Sequence, residues 1–416
     1  MVIILGGTLA VIGEFNPFHN GHFYHLTKAK KIVQPDFTIG IMSGNFVQRG
    51  DTAILDKWTR AEIAIRNGFD LIIELPTLYS ISSAENFAEG AIKILNTLSF
   101  VDYLAFGSEV GEIEPLDNVA SILYKEPKEL STLINRQLRS GLSYPKAREL
   151  ALSMYFGTSK VYSSILEEPN NILGVEYLKA IKKHKAQITP ITFKRKNSDY
   201  HSKTISFGIA SATAIRGFLD DKDKLKEVLP KSSYDILRKK MRTGEYVKGL
   251  EVFEKEIIYI LRRMTITEIS NLPDVSEGLE NRIKSAAHEA QNLNELISKI
   301  KTKRFTQTRI QRILVYALLN VTKKDIIASQ KATPYIRILG FNEYGKKIIS
   351  TIAKTNPKAK LIVSFKKFVE ANNDSNLNTL ISKDILATNI YTLGYKKNGE
   401  ANLDYTHKIV EVKDTI

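Results

Sequence analysis

Leu9-Ala10-Val11-Ile12-Gly13-Glu14-Phe15 runs straight into Asn16-Pro17-Phe18-His19-Asn20-Gly21-His22, and the reading of the whole chain turns on this stretch. The first group, apolar and partly β-branched, predicts a buried strand over Leu9–Phe15. Asn16 and Pro17 end it, and a helical pattern follows over Gly21–Ile32. Gly21 lets a ligand approach the backbone where a side chain would block it. His19 and His22 stand three residues apart and share a face of the first helical turn. A helix N-terminus offers free N–H groups and the positive end of a dipole, both of which favour phosphate. Imidazoles there donate hydrogen bonds to phosphate oxygens and to a pentavalent phosphorus as charge builds up. The stretch therefore predicts a nucleotide site in which the α-phosphate is attacked. Two plainer readings compete: a structural histidine, or a metal site that uses His25 on the same stripe. A metal also recruits carboxylate or thiolate ligands, and none stands nearby at suitable spacing.

Outward from this stretch, apolar runs alternate with helical patterns. Phe37–Met42, Phe69–Leu75, Val101–Phe106 and Ile188–Phe193 read as further strands, and Lys57–Asn67 and Ala84–Leu98 as helices. Such alternation implies a parallel sheet with right-handed crossovers, whose ligands collect at the carboxyl ends of the strands. Near Leu229-Pro230 the pattern changes, and residues 232–319 read as almost wholly helical. A mixed tail follows, with strand-like Tyr335–Leu339, Leu361–Phe365 and Asn389–Leu393 and a polar surface loop over Ala371–Asn378. The expected division is 1–228, an α/β ATP-binding unit, and 229–416, a mainly helical and basic unit. A length of 416 residues suits two domains.

Composition limits the function classes. Apolar residues make up 43% and charged ones 25%, which fits a chain with a sizeable core. Sixty Lys and Arg against 45 Asp and Glu leave a net charge of +15, which suggests a polyanionic partner, nucleic acid ahead of a membrane. With no cysteine, disulfides, thiolate zinc sites and cysteine nucleophiles are excluded, in keeping with a reducing compartment. The uncharged start, Met1–Gly13, lacks a basic n-region and is too short to span a bilayer, so a cytoplasmic protein is expected. Lys299–Lys324 holds eight Lys or Arg and no acidic residue, with Phe305 and Tyr316 among them. The run favours phosphate contacts and base stacking, with Lys301, Lys303, Arg304, Arg309 and Arg312 as RNA-binding candidates. Arg49, Lys57 and Arg60, after the second strand, border either the active site or the RNA.

A second phosphate element is Ile209-Ala210-Ser211-Ala212-Thr213-Ala214-Ile215-Arg216. Ser211 or Thr213 caps a helix whose N–H groups, with Arg216, suit the β- and γ-phosphates. By contrast, Gly340-Phe341-Asn342-Glu343-Tyr344-Gly345-Lys346-Lys347 imitates a P-loop but has Lys347 where a magnesium-binding Ser or Thr is required.

HxGH after the first strand with a distant S-x-T-x-I-R resembles the nucleotidyltransferase superfamily of adenylyltransferases and class I aminoacyl-tRNA synthetases. Glu14–His22, Met42-Ser43-Gly44-Asn45-Phe46-Val47-Gln48-Arg49-Gly50, Phe106-Gly107-Ser108-Glu109, Pro169–Gly174 and Ser198-Asp199-Tyr200-His201 resemble one bacterial family, the tRNA(Met) cytidine acetate ligases. Lys301–Thr306 and Pro334-Tyr335-Ile336-Arg337 extend the likeness over nearly the whole chain. The departures are a leader about five residues longer and Ala214 where Ser is common. The resemblance implies an α/β, Rossmann-like nucleotidyltransferase domain followed by a mainly helical C-terminal domain. It implies activation of acetate by ATP, with magnesium on the phosphates, to acetyl-adenylate and pyrophosphate. The acetyl group then passes to N4 of the wobble cytidine of elongator tRNA(Met). His19 and His22 would be catalytic. ATP would be held by Ile12, Gly13, Glu14, Phe15, Asn16, Pro17, Phe18, His19, Asn20, Gly21, His22, Phe23, Tyr24 and His25, with Gly107, Asn170 and Arg195, joined by Ser211, Thr213 and Arg216. No residue is expected to hold a resident metal, and no membrane is implied. Two other functions compete: a metabolite adenylyltransferase, which leaves the basic second half unused, and a non-catalytic tRNA-binding protein.

Overall fold

The strand expected at the start of the chain forms as β1 (Thr8–Gly13), buried over most of its length because strands flank it on both sides. The computed structural model describes residues 6–157, 162, 165–195, 208, 210–357 and 359–413; of the quoted sequence motifs, Ser198–His201 and Ile209 fall outside it. In chain order, β1 leads to α1 (Asn20–Val33), β2 (Phe37–Ser43) and a small hairpin, β3 (Phe46–Val47) with β4 (Asp51–Thr52). Then come α2 (Lys57–Arg66), β5 (Leu71–Leu75), α3 (Ala84–Leu98) and β6 (Tyr103–Ser108). After further helices follow α4 (Pro169–His184), β7 (Thr189–Lys194) and α5 (Ala212–Gly217). The helical stretch ends near α6 (Gln307–Leu318), and β8 (Ile336–Phe341), β9 (Leu361–Ile362), α7 (Ser375–Leu393) and β10 (Val410–Glu411) complete the chain.

The main sheet has the order β10-β8-β5-β2-β1-β6-β7, with β9 beside β8. The pairs are parallel except β5 with β8. At β1 the order reverses, with β2 on one side and β6 on the other. The crevice for a ligand opens at such a reversal, outside the carboxyl ends of the strands.

The tail differs from its expected reading. Its strands β8, β9 and β10 join the sheet of the first half, so residues after 335 complete that sheet rather than extending the helical region. Asn389–Leu393, expected as a strand, closes α7. Leu377, Leu380, Ile381, Asp384, Ala387, Thr388 and Tyr391 are buried along that helix, a helical repeat that a five-residue window does not show. Ser375–Asn378 is its first turn rather than loop, capped by Asp374. Leu361–Phe365 is strand only at its first two residues, and Phe365 starts a helix. The P-loop imitation is a strand-to-helix joint capped by Asn342. A Cβ on Gly345 would lie 2.0 Å from the Asp70 carbonyl oxygen, so that glycine serves packing.

A buried ionic cluster ties the tail to the sheet. Lys57 Nζ contacts Glu74 at 2.8 Å and Asp404 at 2.7 Å, and Arg337 reaches the same two carboxylates at 3.2 and 2.6 Å. Asp384 accepts hydrogen bonds from the Thr77 N–H at 2.7 Å and from the Tyr335 hydroxyl. Removing one partner from such a cluster strands a buried charge.

Candidate active site

Local chemistry sets the turn between β1 and α1. Phe15 takes a left-handed φ of 47°, and the Asn16–Pro17 bond is cis. Asn16 is buried; its side chain donates to the Thr52 carbonyl at 3.2 Å and accepts from the Ile54 N–H at 2.8 Å, tying the turn to the β3–β4 hairpin. His19 is the N-cap of α1. Its Nδ1 accepts from the Gly21 N–H at 3.0 Å, and His22 Nδ1 accepts from the His19 N–H at 3.3 Å. Histidines therefore fill both positions of a capping box that usually holds Ser or Thr and Glu. Since both Nδ1 atoms accept, the neutral tautomer places the proton on each Nε2. The two rings stack with centroids 3.9 Å apart.

Burial keeps these imidazoles neutral. It is the largest cause that lowers His19 to about 3, with Arg195 and Arg216 adding repulsion. His22 is lowered by burial and then by His19 and Arg195, and burial brings His25 to about 4. Neutral rings that donate from Nε2 suit polyanionic oxygens and do not act as strong bases.

Residues far apart in sequence meet here. A Cβ on Gly107 would lie 2.9 Å from Arg195 Cγ and 3.3 Å from His25 Cδ2, so β6, β7 and α1 converge at that glycine. Arg195 Nη1 donates to Asn170 Oδ1 at 3.2 Å, and Asn170 donates from Nδ2 to Glu109 Oε1 at 2.5 Å. Glu109 also accepts from the Asn171 N–H at 2.7 Å, placing a carboxylate at the start of α4. On the other flank, Ser211 caps α5 by accepting from the Ala214 N–H at 3.1 Å. Arg216 Nη1 donates to the Asn16 carbonyl at 3.3 Å and Nη2 to Thr213 Oγ1 at 3.2 Å. Asn20 Nδ2 donates to the carbonyls of Gly208 and Glu227, both at 2.9 Å, linking α1 to the chain on either side of α5. Thus His19, His22, His25, Gly107, Asn170, Arg195 and Arg216 share one crevice. Within the same stretch, Phe15 and Phe18 pack against the His22 ring and Phe69, while Phe23 is exposed. Ile12, Gly13 and Glu14 close the strand end, with Pro17, Gly21 and Tyr24 around the turn.

The three cations after β2 separate. Lys57 belongs to the ionic cluster. Arg60 is buried and donates to the carbonyls of Glu14 at 2.6 Å, Ser43 at 3.0 Å, Leu55 at 2.9 Å and Gly44, so it ties together the ends of β1 and β2. Arg49 alone of the three lies at the hairpin turn. Sequence reasoning passed over Glu109 and Glu74. The available signal was a carboxylate within or just beyond a buried strand.

The basic run does not lie as expected. Phe305 and Tyr316 are core residues, and the Tyr316 hydroxyl donates to the Ile81 carbonyl at 3.0 Å, so neither is free to stack on a base. Acids from another segment reach the run: Arg304 contacts Glu277 at 2.6 Å and Arg312 contacts Asp274 at 2.9 Å. Arg309 donates to the Asp274 carbonyl at 2.9 and 2.7 Å. Lys301 and Lys303 are exposed. Among the described residues, no group of three or more His, Asp or Glu converges as a metal site needs, and no helix is long and apolar enough to cross a membrane.

The HIGH Nucleotidyl Transferase family profile matches residues 7–405. A tRNA(Met) cytidine acetate ligase of a Thermoanaerobacter species is 42% identical over 408 residues, covering 98% of this chain and all of that protein. The protein of the same name from Acetivibrio thermocellus is 43% identical over 412 residues, covering 97% of this chain and 99% of its own. The apo crystal structure of Thermotoga maritima TmcAL superposes with a TM-score of 0.93 at 34% identity, covering 98% of this chain and 100% of that one. A second form, bound with alpha-thio ATP, gives 0.91 at 34% identity with the same coverage. The stacked HxGH histidines, the sheet reversal above them and these full-length matches place the chain in the tRNA(Met) cytidine acetate ligase family of HIGH nucleotidyl transferases, as a ligase.

Proposed function

We propose that this chain is an ATP-dependent acetate ligase that acetylates N4 of the wobble cytidine of elongator tRNA(Met). The observation that carries the reading is the pair of neutral, stacked imidazoles at the N-terminus of α1, flanked by Arg195 and Arg216. A solved relative bound with alpha-thio ATP and relatives named for this activity support it.

Residues 12–25, Gly107, Asn170 and Arg195 hold ATP, and Ser211, Thr213 and Arg216 bind its β- and γ-phosphates. Acetate is an anion at neutral pH, so no general base is required. One carboxylate oxygen attacks the α-phosphorus while the bond to the pyrophosphate oxygen breaks, and its electron pair leaves with pyrophosphate. Positioning and charge neutralisation suffice for such a transfer. Magnesium arriving with ATP would supply further neutralisation of the phosphates. The cytidine amine then attacks the acetyl carbon, the anhydride C–O bond breaks, AMP departs and the amine loses a proton. The wobble base lies in a loop, so presenting it costs little unstacking. The exposed Lys301 and Lys303 contact the tRNA backbone in the cytoplasm, while Arg304, Arg309 and Arg312 are engaged with Glu277 and Asp274. Isotope exchange between ATP and labelled pyrophosphate tests the first half-reaction: exchange that requires acetate supports it, and exchange indifferent to acetate contradicts it.

A further inference from the structure

Arg195 follows β7 and is exposed, and a guanidinium on so long a stem keeps one position only where something pins it. Its stem lies across Gly107, where a Cβ would come within 2.9 Å of Arg195 Cγ, and its backbone N–H donates to the Ser108 carbonyl at 3.0 Å. At the far end, Nη1 donates to Asn170 Oδ1 at 3.2 Å. That bond requires the Asn170 amide to face one way, because the reversed amide would turn an NH2 toward the cation. Glu109 settles the direction. Its Oε1 accepts from Asn170 Nδ2 at 2.5 Å and from the Asn170 N–H at 3.3 Å, which leaves the amide oxygen for Arg195.

Glu109 is itself held on both sides. Its Oε2 accepts from the Asn171 N–H at 2.7 Å, and the buried Asn171 returns the contact. Asn171 Oδ1 accepts from the N–H groups of Glu109 at 2.9 Å and Val110 at 3.1 Å. The carboxylate thus occupies the N-terminus of α4, the end of a helix that favours negative charge, so the protein fills this position from within. A carboxylate after β6, an amide at the start of α4 and a cation after β7 form one relay. We propose that Glu109 is a positioning residue for the nucleotide: it orients the Asn170 amide and, through it, holds Arg195 at the crevice. This assignment rests on the reading above, in which Arg195 binds the ATP of an acetate ligase.

The test is a double-mutant cycle of Glu109→Gln and Arg195→Ala in the full-length chain, read as the dissociation constant of labelled ATP in equilibrium dialysis. Glu109→Gln replaces one acceptor oxygen by a donor and should weaken ATP binding about tenfold, the loss expected for a hydrogen bond to a charged group. In the Arg195→Ala background the same change should cost less than about twofold, because Arg195 is what the relay holds. A carboxylate that only capped α4 would weaken ATP binding equally in both backgrounds, and such additive losses would overturn the proposal. So would unchanged ATP binding in either single variant. Glu109→Asp keeps the charge at the helix start but withdraws it by one methylene from the Asn170 amide. Should Glu109→Gln fail to fold, Glu109→Asp carries the same cycle, with the same result expected and the same result overturning it. Acetate-independent pyrophosphate exchange by the wild type would remove the acetate ligase reading while the ATP cycle still reported on the relay, so the two failures are distinguishable.

Discussion

Two groups of cations lie at different places along the sheet, one at β5 and β8 and one at the ends of β1, β6 and β7, and they are built on different plans. At β5 and β8, Lys57 and Arg337 meet Glu74 and Asp404 at close range, so the charges are matched within the protein. At the ends of β1, β6 and β7, Arg195 and Arg216 stand beside imidazoles that burial keeps neutral. The carboxylates there, Glu14, Asp51 and Glu109, are occupied in holding backbone or side-chain donors in place. A matched cluster is structural, since losing one member strands the rest. Neutral donors beside arginines, with the local carboxylates committed to amide donors, are complementary to a ligand that brings several negative charges. Close reciprocal ion pairing marks the first group, and neutral Nε2 donors mark the second.

The largest effect is expected in the ionic cluster. Asp404→Ala leaves Lys57 and Arg337 sharing one carboxylate and should lower stability by about 3–5 kcal/mol, read by urea denaturation. A loss under about 1 kcal/mol would break the contrast. At the nucleotide site, His22→Ala should slow adenylate formation about 10²–10³-fold, as for loss of one transition-state donor, and lower stability by about 1 kcal/mol for the lost cap. A variant that melts far earlier would make His22 structural instead.

A smaller effect concerns pH. His19 and His25 are lowered from 6.5 to about 3 and about 4, so the folded state disfavours their protonation. Between the folded values and 6.5 the unfolded chain binds more protons, and stability falls as pH drops through that window. Their contribution is complete above about pH 6.5. Denaturation curves from pH 8 to pH 4 should show this loss, and His25→Gln should flatten it; a parallel profile in the variant would contradict the assignment. Smallest is the effect of Lys303→Ala, which should weaken tRNA binding several-fold and reduce the salt slope by about one. An unchanged slope would take Lys303 off the RNA surface.

Much of the candidate site is legible in sequence, because local chemistry builds it. A buried parallel strand is a continuous apolar run, and a helix start with two histidines at a spacing of three is a local pattern. The ionic cluster is illegible for the opposite reason. Glu74 sits alone in Leu71-Ile72-Ile73-Glu74-Leu75, and nothing local says that its partners are Lys57 and Arg337. The antiparallel pairing of β8 with β5 is likewise a long-range choice. Lys299–Lys324 misled through the same blindness: acid-free in sequence, it meets Asp274 and Glu277 in space. Tyr316, aromatic among cations, packs inward on the apolar face of α6, and Phe305, just before that helix, is buried as well.

The most direct measurement is mass spectrometry of elongator tRNA(Met) after incubation with the full-length protein, ATP and isotopically labelled acetate. The account predicts one labelled acetyl group on the wobble cytidine, absent when ATP is omitted. An unmodified tRNA from a protein that exchanges pyrophosphate without acetate would contradict it.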